Sequence, residues 1–408
     1  MYGLVLEGGG ARGAYHIGAY KAIKEEGIEI GGIAGTSVGA INGAMIVQGD
    51  YELAYELWQE ISFPMVISTN DEEVERLRHL RLDKEDLSFL VDKVKDVIND
   101  GGLDITPLKN LLNTYIDEDR IRSSDMDFGI VTVNLTDFKS IEVFKEEIPK
   151  GKIKDYILAS SYLPSFKKEK LDGKRYLDGA FYDNLPFKLL QSKGYEDLIF
   201  VRTNARGLTR KLKDKANAIV ISPSEELGNT LDFDKEIAKR NLQLGYYDGL
   251  KVLRGLKGNK YYIQPKGEDY YFDLLTSIDE NKLNKLRGII RTRDVPDKRA
   301  IFEYIIPKLA SALGLERNFD YEDFILALLE KRAESLDIDV FQIYSYEDLL
   351  QLVKQARKNS GIEDKGNSLI SAVASLFNKD ETILKVVDII LNISWILSME
   401  DWWLLINF

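Results

Sequence analysis

The sequence predicts an α/β fold with a parallel sheet, followed by a mostly helical C-terminal region. Short apolar, β-rich runs alternate with helical segments over roughly the first 225 residues, which is typical of βαβ units. Thirteen of the 31 glycines lie in the first fifty residues, and no proline follows Pro307. We therefore expect short elements joined by tight turns at the start of the chain, and little interruption of helices in its last hundred residues.

The first fifty residues predict the order strand, glycine loop, helix, strand, turn, helix. The predicted strands are Tyr2–Leu6 and Ile28–Ala34, and the helices are Ala14–Glu26, which Gly27 ends, and Ala40–Val47. Later strands are expected at 128–133, 140–144, 198–203 and 218–222, and helices at 51–61, 87–98 and 107–115. From about Asp273 the pattern is helical, at 301–313, 321–336, 346–358, 369–377 and 382–397. The densely charged segment 72–86 is assigned no function.

Composition excludes several classes of protein and site. Lys and Arg number 55 against 67 Asp and Glu, a net charge of −12, which argues against a general nucleic-acid binder. Cysteine is absent, which excludes disulfides, thiolate metal sites and cysteine nucleophiles. With only His16 and His79 present, a histidine-rich metal site is also excluded, and we expect no metal and no cofactor.

The glycine loop Gly8-Gly9-Gly10-Ala11-Arg12-Gly13 has two interpretations. It satisfies G-x-G-x-x-G between a strand and a helix, the context of a dinucleotide-binding site. That interpretation fails because the second strand ends Ile33-Ala34-Gly35-Thr36-Ser37, without the acidic residue that would bind the ribose. A Walker loop fails too, since no Gly-Lys-Ser/Thr follows. We favour the other use, in which backbone N–H groups and the helix dipole face a developing negative charge, with the Arg12 charge beside them.

The segment Gly35-Thr36-Ser37-Val38-Gly39 is a G-x-S-x-G pattern, again between a strand and a helix. Glycines two positions either side of the serine relieve crowding at a sharp turn that exposes its hydroxyl. We therefore predict Ser37 as a nucleophile, in preference to a plain helix N-cap.

A serine nucleophile needs a base. His16 is better explained as a packing or capping residue, and His79 as a surface residue, so a buried carboxylate with a raised pKa is expected instead. Asp178-Gly179-Ala180 follows a short strand-like approach, and a tight turn would present its carboxylate. From the residues alone, Asp172 and Asp183 remain open as alternatives to Asp178.

Taken together, these three motifs resemble the patatin-like phospholipase family. Supporting stretches are Ala159-Ser160-Ser161-Tyr162-Leu163-Pro164 and Asn184-Leu185-Pro186, so the resemblance covers about residues 1–225. It implies a three-layer α/β/α sandwich with a mostly parallel sheet, in a catalytic domain that we place at residues 1–260. Residues 261–408 form a second, all-α region of unknown role. Residue usage rich in Lys, Ile and Asn suggests a bacterial source.

The resemblance also implies lipid acyl-ester hydrolysis of the phospholipase A or lysophospholipase type. Ser37 would be the nucleophile, Asp178 the base, and Gly8, Gly9, Gly10, Arg12 and Gly13 the oxyanion hole. An acyltransferase using the same dyad is the alternative, distinguished by acyl transfer to an added alcohol. A non-catalytic binding protein is a third hypothesis, which a serine-reactive fluorophosphonate probe would test.

The expected partner is a phospholipid or lysophospholipid substrate. No signal-peptide pattern is visible and charges interrupt the apolar stretch 383–408, so we expect a cytoplasmic protein. Trp395, Trp402 and Trp403 suit transient contact with a membrane surface. We favour the alternative that they pack the C-terminal helices or form an oligomer contact.

Overall fold

The computed structural model describes residues 1–68, 102–167, 169–210, 217–290, 295–359 and 379–393. The predictions for segments 72–86, 87–98 and 369–377, for His79 and for the C-terminal tryptophans lie outside these residues. The chain separates into two compact units, Met1–Arg254 and Gly255–Phe408. None of the helices in the described ranges is long and apolar enough to span a membrane.

The first unit alternates strands and helices along the described chain. Its elements are β1 (Tyr2–Leu6), α1 (Ala14–Glu25), β2 (Ile30–Thr36), α2 (Val38–Val47), α3 (Tyr51–Glu60), α4 (Phe63–Val66), α5 (Thr106–Tyr115), α6 (Glu118–Ser123), β3 (Asp127–Asn134), β4 (Lys139–Phe144), α7 (Ile153–Ser160), β5 (Tyr176–Asp178), α8 (Phe187–Ser192), β6 (Asp197–Val201), β7 (Asn217–Ile221) and α9 (Lys235–Arg254).

The strands described in this unit form one sheet in the order β4-β3-β2-β1-β6-β7, with β5 beside β3. Pairings along β3-β2-β1-β6-β7 are parallel, whereas β4 and β5 both run antiparallel to β3. The mostly parallel sheet confirms the predicted α/β class. Because parallel strands end at the same edge, the loops after β1, β2, β3 and β6 all gather at that edge.

Helices cover both faces of this sheet, which gives the predicted three layers. On one face, Gly43 of α2 lies against Ile33 and Phe128. On the other, a buried cluster joins residues of β1, β2, β3 and β6 to Phe187 and Leu190 of α8. Successive side chains of a strand point to opposite faces of the sheet, so the strands contribute to two separate apolar interfaces.

The second strand differs from the prediction in where it ends. It continues to Thr36, and α2 begins at Val38, so the predicted five-residue turn is reduced to Ser37 alone. The 20-residue helix α9, which packs along α1, was not among the predicted elements. This helix was missed because polar residues interrupt its apolar ones throughout. Its buried face results from close packing against α1.

The second unit is mostly helical, as expected. Its described helices are α10 (Glu268–Thr276), α11 (Glu280–Ile290), α12 (Asp297–Arg299), a π-helical stretch at Ala300–Ile305, α13 (Ile306–Leu313), α14 (Tyr321–Glu334), α15 (Tyr346–Asn359) and α16 (Lys379–Ile390). They enclose a core of their own around α14. One feature was not predicted: the short strands β8 (Tyr262–Ile263) and β9 (Ile343–Tyr344) pair in parallel.

Candidate active site

Ser37 forms a sharp turn between β2 and α2. Its backbone has φ 57° and ψ −127°, a left-handed conformation that is strained for a side chain other than glycine. The flanking glycines make this turn sterically accessible. A Cβ on Gly35 would lie 2.3 Å from the Gly39 carbonyl, and one on Gly39 would lie 2.3 Å from the Leu6 carbonyl oxygen. The G-x-S-x-G spacing thus reflects backbone packing around the serine.

The side chain of Ser37 makes no capping hydrogen bond to α2. Instead its backbone N–H donates to the Ser160 hydroxyl at 2.9 Å, and that hydroxyl donates to the Val131 carbonyl at 2.6 Å. Ser160 was not predicted as a site residue, although it lies in the stretch that resembles the family. Its two bonds tie the strained turn to β3, and the Ser37 side chain is left facing a cavity.

The sheet register brings Asp178 next to Ser37. Thr36 at the end of β2 pairs with Val131 of β3, and Asp178 of β5 pairs with the next residue, Thr132. Since β4 occupies the other edge of β3, β5 continues the position of β2 beyond its end. Because β2 stops pairing with β3 one residue before the pairing with β5 begins, the Asp178 carboxylate lies directly beyond the serine turn.

Asp178 is buried and its carboxyl group is electrostatically perturbed. Burial raises its pKa to about 6, opposed by the Ser37 hydroxyl and the Ala180 N–H, which both lower it. Oδ1 accepts the hydrogen bond from Ala180 N at 2.8 Å. Oδ2 is buried without a hydrogen bond of standard geometry to any described residue, although the Ser37 hydroxyl is close enough to affect its pKa. An unsatisfied carboxylate oxygen beside a serine is well placed to accept a proton.

The two alternative carboxylates lie elsewhere. Asp172 is largely exposed and forms an ion pair with Lys152 at 2.8 Å. Asp183 is buried, and burial raises its pKa to about 6, but its Oδ2 lies 3.1 Å from Nε of Arg210. That contact has ion-pair distance without hydrogen-bond alignment. The main-chain carbonyl of Asp183 accepts from the Thr36 hydroxyl, so this residue supports the strand end structurally.

The glycine loop lies beside the same turn. Gly8 donates its N–H to the Asn184 carbonyl at 3.2 Å and accepts from the Thr203 hydroxyl at 2.6 Å. Gly10 has φ 58° and lines the cavity together with Ser37. Within the described chain, no acceptor binds the N–H groups of Gly9 and Gly10. Both donors are thus left without an acceptor among the described residues, and that of Gly10 lies at the cavity.

Two other predicted residues of the loop have mainly structural contacts. Arg12 donates from Nε to the Gly228 carbonyl at 2.8 Å and from Nη1 to the Asn204 carbonyl at 3.2 Å. The guanidinium thus joins the glycine loop to two other loops at this edge. A Cβ on Gly13 would lie 2.4 Å from Val38 Cγ2, so its absence allows α1 to approach the serine turn.

His16 lies inside α1 and is fully buried. Burial lowers its pKa to about 3, so the ring is neutral at physiological pH. Its Nδ1 lies 3.3 Å from the amide nitrogen of Asn42, which also donates to the Gly13 carbonyl. No hydrogen bond between His16 and Ser37 is present in the described part of the molecule, and the contacts of the ring are those of a packing residue.

An apolar cavity of about 120 Å³ opens at Ser37. It follows α2 from Val38 past Ile41 to Met45, a helix rise of about 10 Å. The opposite wall comes from α3, α4, α5 and the segments 161–166 and 230–233, and includes Ala54, Trp58, Leu112 and Phe166. A cavity of this shape and lining suits a single hydrocarbon chain. Sequence reasoning did not predict it, because its walls come from distant segments.

Comparison with known proteins agrees with the geometry. Residues 4–190 match the family model of patatin-like phospholipases. The lysophospholipase NTE1 of Saccharomyces cerevisiae is 27% identical over 66% of this chain and 15% of its own length. An uncharacterized NTE family protein of Mycobacterium tuberculosis is 26% identical over 45% of this chain and 43% of its own length.

A third relative, the neuropathy target esterase sws of Drosophila persimilis, is 63% identical over 43 residues, 10% of this chain and 3% of its own length. The chain therefore spans less than half of the length of each of these relatives. The match of residues 4–190 nevertheless includes all three motifs of the candidate site. The matched residues, less than half of the chain, are therefore similar to the patatin-like phospholipase family.

Proposed function

We propose that this protein is a lipid acyl hydrolase in which Ser37 attacks the ester and Asp178 is the general base. The observation that carries this proposal is the end of the apolar cavity at Ser37, where a buried carboxylate with an unsatisfied oxygen lies beside the serine. The cavity would hold the acyl chain and place its ester carbonyl at the hydroxyl. Phospholipids and lysophospholipids are the proposed substrates.

The reaction proceeds in two steps. Asp178 accepts the proton of Ser37 while the serine oxygen attacks the acyl carbonyl, and the N–H groups of Gly9 and Gly10 bind the resulting oxyanion. Each such donor contributes about 2.7–4 kcal/mol to the stability of the transition state in other enzymes. The protonated Asp178 then returns the proton to the leaving alcohol, and finally activates the water that releases the fatty acid.

The function is tested by measuring fatty acid released from phospholipid and lysophospholipid, together with fluorophosphonate labelling of Ser37 identified by mass spectrometry. Release with labelling is the expected result. Acyl product on added glycerol, in place of free fatty acid, would favour the transferase alternative. If neither product forms and Ser37 is not labelled, the proposal is wrong.

Activity is expected to depend on pH through Asp178, because only the ionised carboxylate can accept the serine proton. With the pKa raised to about 6, kcat/KM on a soluble ester should be constant at high pH and fall below about pH 6. Well below that value it should fall about tenfold per pH unit. The pH profile of kcat/KM gives the measurement.

Asp183→Asn is the matched control for this profile, because burial also raises the pKa of Asp183 to about 6. The inflection should persist in this variant. If the inflection disappears in Asp183→Asn, Asp183 is the group that titrates. An inflection near pH 4 in the wild type would contradict the assignment of a buried carboxylate as the base.

Filling the cavity is expected to change the preferred chain length. Ala54 is buried in α3 and lines the cavity, so Ala54→Phe places a ring in the space assigned to the acyl chain. We expect kcat/KM for a long-chain ester to fall at least about tenfold, and that for an acetyl or butyryl ester to change less than about threefold. Equal loss on both esters in a folded variant would contradict the assignment of this cavity to the acyl chain.

A further inference from the structure

Exposed apolar side chains are concentrated at the edge of the sheet that carries the candidate site. Five of them lie on loops there, with exposed fractions from 37% to 89%, and we call them the edge patch: Leu135, Phe138, Phe181, Tyr182 and Leu208. Leu135 and Phe138 are at the tip of the β3–β4 hairpin. Phe181 and Tyr182 follow Asp178 within four residues, and Leu208 lies in the loop after β6.

Hydrogen bonds connect these loops to one another and to the site. The N–H of Leu208 donates to the Ala180 carbonyl at 2.9 Å, beside Phe181, and the N–H of Leu135 donates to the Arg175 carbonyl at 2.8 Å. The Arg210 guanidinium lies over the Tyr182 ring at 4.8 Å and pairs with Glu142 of β4. These bonds hold the loops of the edge patch beside one another, on the side of the sheet that carries Asp178.

Phe138 is presented on a fixed and strained turn. Its φ is 51°, unusual for an aromatic residue, and it is 89% exposed, so little packing against the described residues offsets the strain. The turn is held by Asn134, whose Oδ1 accepts from the N–H groups of Thr136 and Asp137 at 2.9 and 3.0 Å. Strain of this kind persists only where the surrounding structure imposes it, and it clusters at active sites and ligand-binding sites.

The charges around the edge patch are positive on balance, although the chain has a net charge of −12. Lys139 and Arg175 are exposed beside the hairpin tip and form no ion pair with any described residue. Among the neighbouring acids, Asp137 pairs with Lys174, whereas Glu142 and Asp183 share the single cation Arg210, so the four cations named here exceed the three acids by one. Exposed apolar side chains flanked by unpaired cations match an anionic lipid surface.

We propose that the edge patch docks on the surface of an anionic lipid bilayer, with Phe138 and Leu208 entering the interfacial region. This inference rests on the proposed function, since docking there would bring the candidate site to its lipid. Among the described residues of the first unit, the other large apolar side chains that are exposed are single residues, such as Val252 in the last turn of α9, whose end meets the end of α1. That position is about 18 Å along α1 from the serine turn.

The test is co-sedimentation of the full chain with vesicles of phosphatidylcholine and phosphatidylglycerol, compared with vesicles of phosphatidylcholine alone. We expect the wild type to bind the anionic vesicles more strongly, and Phe138→Ser with Leu208→Ser to reduce binding at least about tenfold. Lys139→Gln with Arg175→Gln should remove the preference for anionic vesicles. Val252→Ser, the matched control, should bind like the wild type.

Two assays test the catalytic proposal independently of docking, because neither requires a bilayer. They are the hydrolysis of a soluble butyryl ester and the labelling of Ser37 by a fluorophosphonate. Both should be unchanged in the Phe138→Ser, Leu208→Ser variant, which also shows that it folds. Docking at this surface is overturned if that variant binds vesicles like the wild type, or if Val252→Ser loses as much binding. It is also overturned if the wild type does not bind vesicles but forms a dimer in solution that Phe138→Ser with Leu208→Ser abolishes. The edge patch would then bind a second copy of this chain.

Discussion

Ser37→Ala should abolish hydrolysis, with kcat on any ester substrate lowered at least ~10⁴-fold, as for nucleophile removal in other serine hydrolases. The variant retains the turn but has no oxygen to form the acyl-enzyme. Because alanine and serine have similar backbone preferences at φ 57°, the free energy of unfolding should change little. Fatty acid release and urea unfolding measured on the same preparation give both values.

Ser161→Ala is the matched control for this variant. Ser161 lines the same cavity and is buried, but its hydroxyl donates to the Ile157 carbonyl within its own helix turn at 3.1 Å. We expect it to lower kcat less than about tenfold. If Ser37→Ala keeps substantial activity while Ser161→Ala loses it, the nucleophile has been assigned to the wrong serine.

Asp178→Asn is expected to lower activity and raise stability together. Asparagine has nearly the same shape but cannot accept the serine proton, so kcat should fall at least ~10³-fold. The folded-state pKa of Asp178 is raised, so its favourable contribution to stability is present in acid and is lost as the pH rises through about 6. At pH 7 the wild type therefore carries an unfavourable buried charge, and the variant should unfold with a free energy about 1–3 kcal/mol higher.

Urea unfolding at acid and neutral pH measures this difference, which should be near zero in acid and grow toward neutral pH. Asp172→Asn is the control, because that carboxylate is exposed and its backbone, at φ 52°, accommodates asparagine. It should leave kcat unchanged. A stability gain without loss of activity in Asp178→Asn would show that Asp178 is buried for another reason and that a different group is the base.

The sequence by itself determined the local features of this protein. Strand and helix periodicity predicted the parallel sheet and the helical second region, since each depends on neighbours within a few residues. The glycines around Ser37 marked the sharp turn, because a Cβ at either position would contact the main chain. The absence of cysteine and the scarcity of histidine pointed to a carboxylate base, because few other side chains in this chain could accept the serine proton.

Other features depended on contacts between distant segments. The residues alone left Asp172, Asp178 and Asp183 open, and the tertiary structure separates them by strand register and ion pairing. It also shows Arg12 bound to carbonyls more than 190 residues away, where the sequence indicated only a charge beside a loop. The apolar cavity at Ser37 and the edge patch have no local signal in the sequence, because the burial or exposure of a residue depends on the packing of the whole chain.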